Sequence, residues 1–102
     1  MVKVELLTGT IEACVEVPAS DKLVQMTVDL GAQGKRTILA GIKKWYAPAD
    51  LIGKRGLFVV NLKPRKMAGS ESHGMMLVAE DENGKSQLIP FPDTVPNGMR
   101  LR

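Results

Sequence analysis

The segment from Asn61 to Ser72 carries the side chains best suited to binding chemistry. It contains an amide, three closely spaced cations and two hydroxyls, in the order Asn61, Lys63, Arg65, Lys66, Ser70 and Ser72. An arginine holds a phosphate through two parallel hydrogen bonds, and a lysine acts as a point charge. Amides and hydroxyls exchange hydrogen bonds with the 2′-hydroxyls and base edges of RNA. These residue types at this spacing indicate binding of a polyanion, and a solvated basic loop is the alternative interpretation.

The distribution of charge along the chain supports the same interpretation. Residues 35–66 contain nine Lys or Arg and one acid, a net charge of +8, whereas the other 70 residues carry −5. In a chain of only 102 residues, this separation predicts one positive and one negative face.

The sequence offers little for catalysis. Cys14 and His73 are the single cysteine and the single histidine, so they exclude a zinc site built from several such residues. Cys14 lies among apolar neighbours and has no flanking cation, which favours packing over nucleophilic chemistry. The segment Gly53-Lys54-Arg55-Gly56 lacks the spacing of a phosphate-binding loop. We expect no enzymatic activity, metal or cofactor.

One cysteine cannot form an internal disulfide, and no apolar stretch reaches the roughly 20 residues of a membrane span. We therefore expect a cytoplasmic protein without a membrane partner.

Hydrophobic periodicity predicts three strands in the first 40 residues. Apolar residues at every second position indicate a strand from Leu23 to Leu30, followed by a hairpin to a strand from Arg36 to Ala40. Val4–Val17 alternates with a phase slip, which predicts one long strand with a bulge at Gly9. Its odd-numbered face, from Ile11 to Val17, is expected to be buried.

The remaining residues predict one helix and more short strands. The expected elements are a helix begun by Pro48 and closed by Gly53, a buried strand at Gly56–Leu62, a polar loop at Lys63–His73, strands at Met75–Ala79 and Ser86–Ile89, and an edge strand at Met99–Leu101.

This order of elements predicts an all-β fold and a single domain over residues 1–102. The layout fits a five-stranded oligonucleotide/oligosaccharide-binding (OB) Greek-key barrel, with one short helix between strands 3 and 4 and a C-terminal strand extension. An SH3-like barrel is the nearest competitor, and the position of the helix argues against it.

The four aromatic residues are too few for a row of stacking platforms along a single strand. Trp45 and Tyr46 follow two lysines, so they either stack on bases or pack the helix over the barrel. The better interpretation is therefore that the chain binds a structured RNA through charge and hydrogen bonds.

Several segments of the chain resemble the tRNA-binding domain found at the C-terminus of many methionyl-tRNA synthetases, in endothelial monocyte-activating polypeptide II and in free-standing tRNA-binding proteins. They are Ala19-Ser20-Asp21-Lys22-Leu23, Pro48-Ala49-Asp50-Leu51-Ile52-Gly53-Lys54, Asn61-Leu62-Lys63-Pro64-Arg65-Lys66, Ser72-His73-Gly74-Met75 and Asn97-Gly98-Met99-Arg100. Leu7 departs from the family pattern, which has a basic residue there.

The resemblance implies a non-catalytic module that binds structured tRNA with little sequence preference, either free-standing or associated with the synthetase's catalytic domain. It implies RNA contacts at Asn61, Lys63, Arg65, Lys66 and Ser72, with Lys43, Lys44 and Lys54 as auxiliaries. Apart from the resemblance, we expect a homodimer formed through the barrel edge and the C-terminal segment. The alternative function is a chaperone-like peptide binder of the same fold family. A third candidate is an assembly domain that docks partner proteins through the acidic part of the chain outside residues 35–66.

Overall fold

The computed structural model describes residues 4–101, so residues 1–3 and 102 of the predicted domain lie outside it. Within this range there are eight strands and one α-helix, which run β1 (Leu6–Glu16), β2 (Val24–Asp29), β3 (Lys35–Ala40), α1 (Pro48–Leu51), β4 (Arg55–Val59), β5 (Arg65–Met67), β6 (Ser70–Ser72), β7 (Met75–Glu80) and β8 (Ser86–Leu88). The prediction of an all-β fold with one short helix between the third and fourth strands is confirmed. In residues 4–101 no helix is long and apolar enough to cross a membrane.

The strands form one six-stranded antiparallel sheet in the order β3-β2-β1-β4-β7-β8, together with a separate hairpin of β5 and β6. β1 connects the two halves of the sheet, because its first residues pair with β4 and its later residues pair with β2. The sheet thereby curves into a barrel-like shape with β3 at one edge.

The core is built by alternation along the central strands. Val24, Met26 and Val28 of β2 are fully buried, as the sequence pattern predicts, and Phe58 of β4 meets them from the other half of the sheet. Leu51 of α1 is also fully buried in this cluster. A helix of four residues is too short to be stable alone, so its packing in the core holds it.

The predicted bulge at Gly9 is wrong, because the register shift lies between Ile11 and Ala13. At this point β1 leaves β4, and the backbone of Ile11 bonds to Gly53 and Lys54 after the helix. The shift reverses the faces that follow, so Cys14 is buried whereas Val15 is 55% exposed. The expected burial of the odd-numbered face therefore holds at Ile11 and Val17 but fails between them.

Two further predictions need correction. The expected loop at Lys63–His73 contains the β5–β6 hairpin, whose two-residue turn of Ala68 and Gly69 has positive φ angles of 50° and 81°. Positive φ at both turn positions matches the twist of paired strands. The expected strand at Met99–Leu101 is reduced to one bridge, between Leu7 and Arg100.

The C-terminal segment, residues 96–101, is attached to β1 through Thr8. The Thr8 hydroxyl donates to the Pro96 carbonyl at 2.8 Å and accepts from the Met99 N–H at 3.0 Å. Gly98 fits beside Gly31 because a Cβ on either residue would strike the backbone of the other segment. The segment thus covers β1 and the β2–β3 turn.

We predict that Thr8→Val lowers the free energy of unfolding by about 1–3 kcal/mol, because it leaves the Pro96 carbonyl and the Met99 N–H without their partner. The exposed Thr94→Val, as a matched control, should change it by less than about 0.5 kcal/mol. Chemical denaturation measures both. Equal stability of the two variants would show that the Thr8 hydroxyl does not hold the segment.

Candidate nucleic-acid interface

The β5–β6 hairpin is fastened to the edge of the sheet by hydrogen bonds at its end. The Ser72 hydroxyl accepts the Leu39 N–H at 3.0 Å and donates to the Gly74 carbonyl at 2.9 Å. One residue later, the His73 N–H donates to the Thr37 carbonyl at 2.8 Å. Because β3 is an edge strand, these bonds occupy backbone groups that a neighbouring strand would otherwise use.

Gly74 brings the chain after β6 into close contact with two strands. A Cβ at this position would lie 2.8 Å from the Val59 carbonyl oxygen and 3.2 Å from Cδ1 of Ile38. Only glycine permits this approach without displacement of the β4 backbone. The hairpin therefore has a defined position relative to β3 and β4.

The register of the hairpin assigns its side chains to two faces. Arg65 pairs with Ser72 and Lys66 pairs with Glu71, so alternation places Arg65 on the same face as the buried Ser72. Lys66 lies on the opposite face, directly across from Glu71. The carboxylate of Glu71 also lies 3.0 Å from Nε2 of His73. The positive charge of Lys66 is thus partly offset by an acid, whereas Arg65 faces none across the strands.

Most of the other cations of residues 35–66 have partners. Lys35 and Lys43 form ion pairs with acids of β1, at 3.0 Å to Glu12 and 3.7 Å to Glu16. The hydrogen bond to Glu12 raises the pKa of Lys35. These two lysines therefore contribute less net charge to the surface than the sequence implies.

Two arginines of the same range form hydrogen bonds to backbone carbonyls and thereby stabilise the fold. Arg36 donates to the Val60 carbonyl, and Arg55 donates to the carbonyls of Pro92 and Val95. The Arg55 guanidinium also stacks on Phe91, 3.9 Å from the ring centroid. Both side chains are half-buried, and backbone carbonyls hold their guanidinium groups.

Five cations of this range remain without such a partner. Within residues 4–101, the side chains of Lys44, Lys54, Lys63, Arg65 and Lys66 make no hydrogen bond or ion pair, and Lys44 contacts only the Trp45 ring. Three of the five lie on or beside the hairpin. Lys54 precedes β4, whereas Asn61 follows it, and an extended chain of this length separates them by about 20 Å. The hairpin is therefore the main concentration of unpaired positive charge.

The predicted site residues accordingly fall into three places. Asn61, Lys63, Arg65 and Lys66 lie together at the hairpin. Lys43 and Lys44 follow the end of β3, and Lys54 lies beyond the other end of β4.

Ser72 and Asn61 have structural roles that their sequence context does not reveal. Ser72 is 3% exposed and its hydroxyl is used in the two bonds above, so we revise its expected RNA contact to a positioning role. The exposed Asn61 accepts the Glu5 N–H at 2.8 Å through its side-chain oxygen, which ties the start of β1 to the end of β4.

Sequence reasoning missed the apolar side chains beside the hairpin. Leu62, Met67 and Met75 line a groove together with Lys63 and Arg65. Met75 is 49% exposed, so its side chain is open to solvent and does not belong to the core. The sequence signal for this groove is that apolar residues, Leu62 and Met67, lie on either side of the three cations.

The structure also distinguishes the two neighbouring aromatics. Tyr46 packs against the core, and its hydroxyl accepts the Leu88 N–H at 3.3 Å, so its role is packing. Trp45 lines an open groove with Lys22 and Lys44, and the Lys44 ammonium lies 4.7 Å from the Trp45 ring centroid.

Cys14 and His73 do not form a catalytic pair. Cys14 is 6% exposed inside β1, and burial raises the pKa of its thiol, which disfavours the nucleophilic thiolate. His73 is exposed on the hairpin and bonded to Glu71. In the part of the chain that the structure describes, no cluster of three His, Cys, Asp or Glu residues is placed to hold a metal ion.

We predict that Ser72→Ala loosens the hairpin, because the buried Leu39 N–H loses its acceptor at a cost of about 1–3 kcal/mol. Amide hydrogen exchange should accelerate at Leu39 and His73. Ser70→Ala, on the same hairpin but half-buried, should leave both rates unchanged. Equal protection in the two variants would contradict the positioning role of Ser72.

Comparison with known proteins relates this geometry to a family. The tRNA binding domain family matches residues 6–100. Over 100 residues the chain is 47% identical to the methionine–tRNA ligase of Enterococcus faecalis, an alignment that covers 97% of this chain and 15% of that protein. The chain spans only 14–15% of the length of the curated relatives it matches.

Two solved structures share the whole fold. A MetRS-related protein from Pyrococcus horikoshii superposes with a TM-score of 0.90 at 41% identity, covering 97% of this chain and 90% of that one. The chaperone CsaA of Bacillus anthracis superposes with a TM-score of 0.85 at 30% identity, covering 100% and 99%. These matches confirm the OB-type fold, and together with the match over residues 6–100 they establish that the chain belongs to the tRNA-binding domain family.

Proposed function

We propose that this chain is a non-catalytic tRNA-binding module whose main contact is the β5–β6 hairpin. The observation that carries the proposal is the placement of Lys63 and Arg65, two unpaired cations on a hairpin held by buried hydrogen bonds. Unpaired positive charges in a fixed position attract a polyanion, and its binding releases condensed counterions. Because the hairpin is already positioned, little ordering entropy opposes binding.

Each residue of the hairpin has a distinct role. Arg65 holds one phosphate through two hydrogen bonds, and Lys63 neutralises a neighbouring phosphate as a point charge. Pro64 restricts the backbone between them. Lys66 contributes less because Glu71 lies across from it, and Asn61 adds a hydrogen-bonding group at the edge of the contact.

This set of groups recognises the shape of the RNA more than its sequence. Phosphate contacts set position and orientation and carry no sequence information. A protein that binds by such contacts selects a folded backbone whose phosphates match its cations. The partner we propose is therefore structured tRNA in general, with little preference for sequence.

The auxiliary cations extend the contact. Lys44 and Trp45 after the end of β3 offer a second surface, where the ion pair with Glu16 offsets the charge of Lys43. Lys54 is too far from the hairpin to share a phosphate with Arg65, so we assign it at most a separate contact.

Within a methionyl-tRNA synthetase, such a module raises the effective concentration of tRNA near the catalytic domain without new chemistry. As a free-standing protein it would bind tRNA in the cytoplasm. Peptide binding of the chaperone type is the other candidate. RNA is favoured because the relatives at 40–47% identity are methionine–tRNA ligases and because the open cations suit phosphate.

Arg65→Ala should weaken binding of all tRNAs by about tenfold or more, because a charge-assisted contact is lost. The slope of log affinity against log salt should become shallower by about 0.7–0.9, the value for one phosphate contact. Lys66→Ala should change the slope by less than Arg65→Ala because Glu71 offsets its charge. Salt titrations with a folded tRNA measure both variants.

Lys85→Ala, in the β7–β8 turn, is the charge-matched control and should behave as the unmodified chain. A larger slope change for Lys54→Ala than for Arg65→Ala would move the interface to the other end of β4. If the slope of log affinity against log salt is unchanged in every variant, phosphate binding by these cations is contradicted.

We also propose a homodimer formed through the apolar strip beside the C-terminal segment. The paired backbones of β1 and residues 99–101 place Leu6, Met99 and Leu101 on one face, with the exposed Val4 in continuation. Two such strips facing each other would remove apolar surface from water.

Sedimentation equilibrium should therefore give twice the chain mass of 11.1 kDa. Met99→Glu should shift the protein towards the monomer by placing a charge in the contact, with Glu82→Gln as a surface control. A single-chain mass at high concentration would contradict the dimer and leave tRNA binding by the hairpin intact.

A further inference from the structure

An apolar groove of about 360 Å³ lies against the hairpin. Its apolar walls come from Leu39 of β3, Leu62, Met67 of β5 and Met75 of β7, and Lys63 and Arg65 flank them. Leu62 is 39% exposed and Met75 is 49% exposed, so both are accessible from solvent. Four separate segments thus bring apolar side chains to the place where the phosphate-binding cations lie.

The side chains of the groove favour a flat, aromatic occupant. Methionine is unbranched and adapts its shape, and its sulfur makes favourable contacts with aromatic rings. Leu39 and Leu62 add apolar surface. Every nucleobase has such a ring, whatever its identity, so these walls accept bases without selecting among them.

The charge around the groove selects what is attached to that ring. Both flanking charged residues are cations, and among residues 4–101 no acid lines the groove. The acid of the hairpin, Glu71, lies on the opposite face. A nucleotide in a chain carries a phosphate on each side of its sugar, and these two phosphates match the two cations that line the groove beside its apolar walls. An apolar peptide side chain brings no negative charge to them.

We propose that this groove receives one unstacked nucleobase of the RNA, with its flanking phosphates on Lys63 and Arg65. The inference rests on the proposed function and adds to it the kind of RNA element that is bound. A base inside a duplex must first be unpaired and unstacked, which costs free energy, whereas an unpaired nucleotide is already available. The protein should therefore prefer tRNA regions with unpaired nucleotides over continuous duplex.

The test uses two RNA hairpins of identical length and charge. One has a single bulged nucleotide, and the other has an abasic nucleotide at the same position. The unmodified chain should bind the bulged RNA about tenfold more tightly than the abasic RNA, because only the first offers a base to the groove. The salt dependence should be equal for the two RNAs, since both keep every phosphate.

Leu62→Gln and Met75→Gln remove apolar walls at exposed positions without changing charge. Each of these variants should bind the bulged RNA no more tightly than it binds the abasic RNA. Leu62→Met should keep the preference for the bulged RNA. Ile52→Gln, a similarly exposed apolar residue after α1, is the matched control and should also keep it. Thermal melts of the free proteins confirm that each variant is folded.

Equal binding of the two RNAs by the unmodified chain would overturn the inference and leave phosphate binding by the hairpin intact. Failure to bind either RNA would overturn the inference alone if a folded tRNA is still bound, and would overturn the proposed function as well if folded tRNA is not bound. Binding of an unfolded polypeptide that is lost in Met75→Gln, without any preference for the bulged RNA, would assign the groove to peptides and overturn the inference.

Discussion

The hydrogen bonds between Ser72, His73 and the edge of β3 are the constraint on which the rest of the interface depends. An edge strand exposes unpaired backbone groups, and here the Leu39 N–H and the Thr37 carbonyl are occupied by the end of the hairpin. Gly74 then permits the chain to lie directly on the end of β4. The same contacts therefore protect the sheet edge and position the cations. Without them, Lys63 and Arg65 would be carried by a loop whose ordering would oppose binding.

Charge alone does not identify the proposed interface, because the fold pairs some cations with acids or carbonyls and leaves others open. The acids of β1 face Lys35 and Lys43, and carbonyl groups hold Arg36 and Arg55. The cations that have no such partner are concentrated at the hairpin, beside an apolar groove. The net charge of residues 35–66 thus overstates the surface available to a polyanion, and the distribution of partners defines it.

The sequence predicts the parts of the fold that depend on local patterns. The alternation in β2 and the proline at the start of α1 are sufficient to predict where those elements lie. The bulge after Ile11 is not predictable in this way, because it depends on bonds to Gly53 and Lys54, distant in the chain. The burial of Ser72 is hidden for the same reason, since a serine in a polar segment gives no sign of the strand edge that it contacts. Chemistry-bearing residue types are visible in sequence, but their partners are set by tertiary contacts.

The central claim is that tRNA binds at the hairpin and its groove. Backbone amide chemical shifts, recorded while folded tRNA is added to isotope-labelled protein, test it most directly. The account predicts that the largest shifts occur at residues 61–67 and 72–75 and at Leu39, with smaller shifts at Lys44 and Trp45. Shifts concentrated around Lys54, or spread evenly over the surface, with the hairpin unaffected would contradict it.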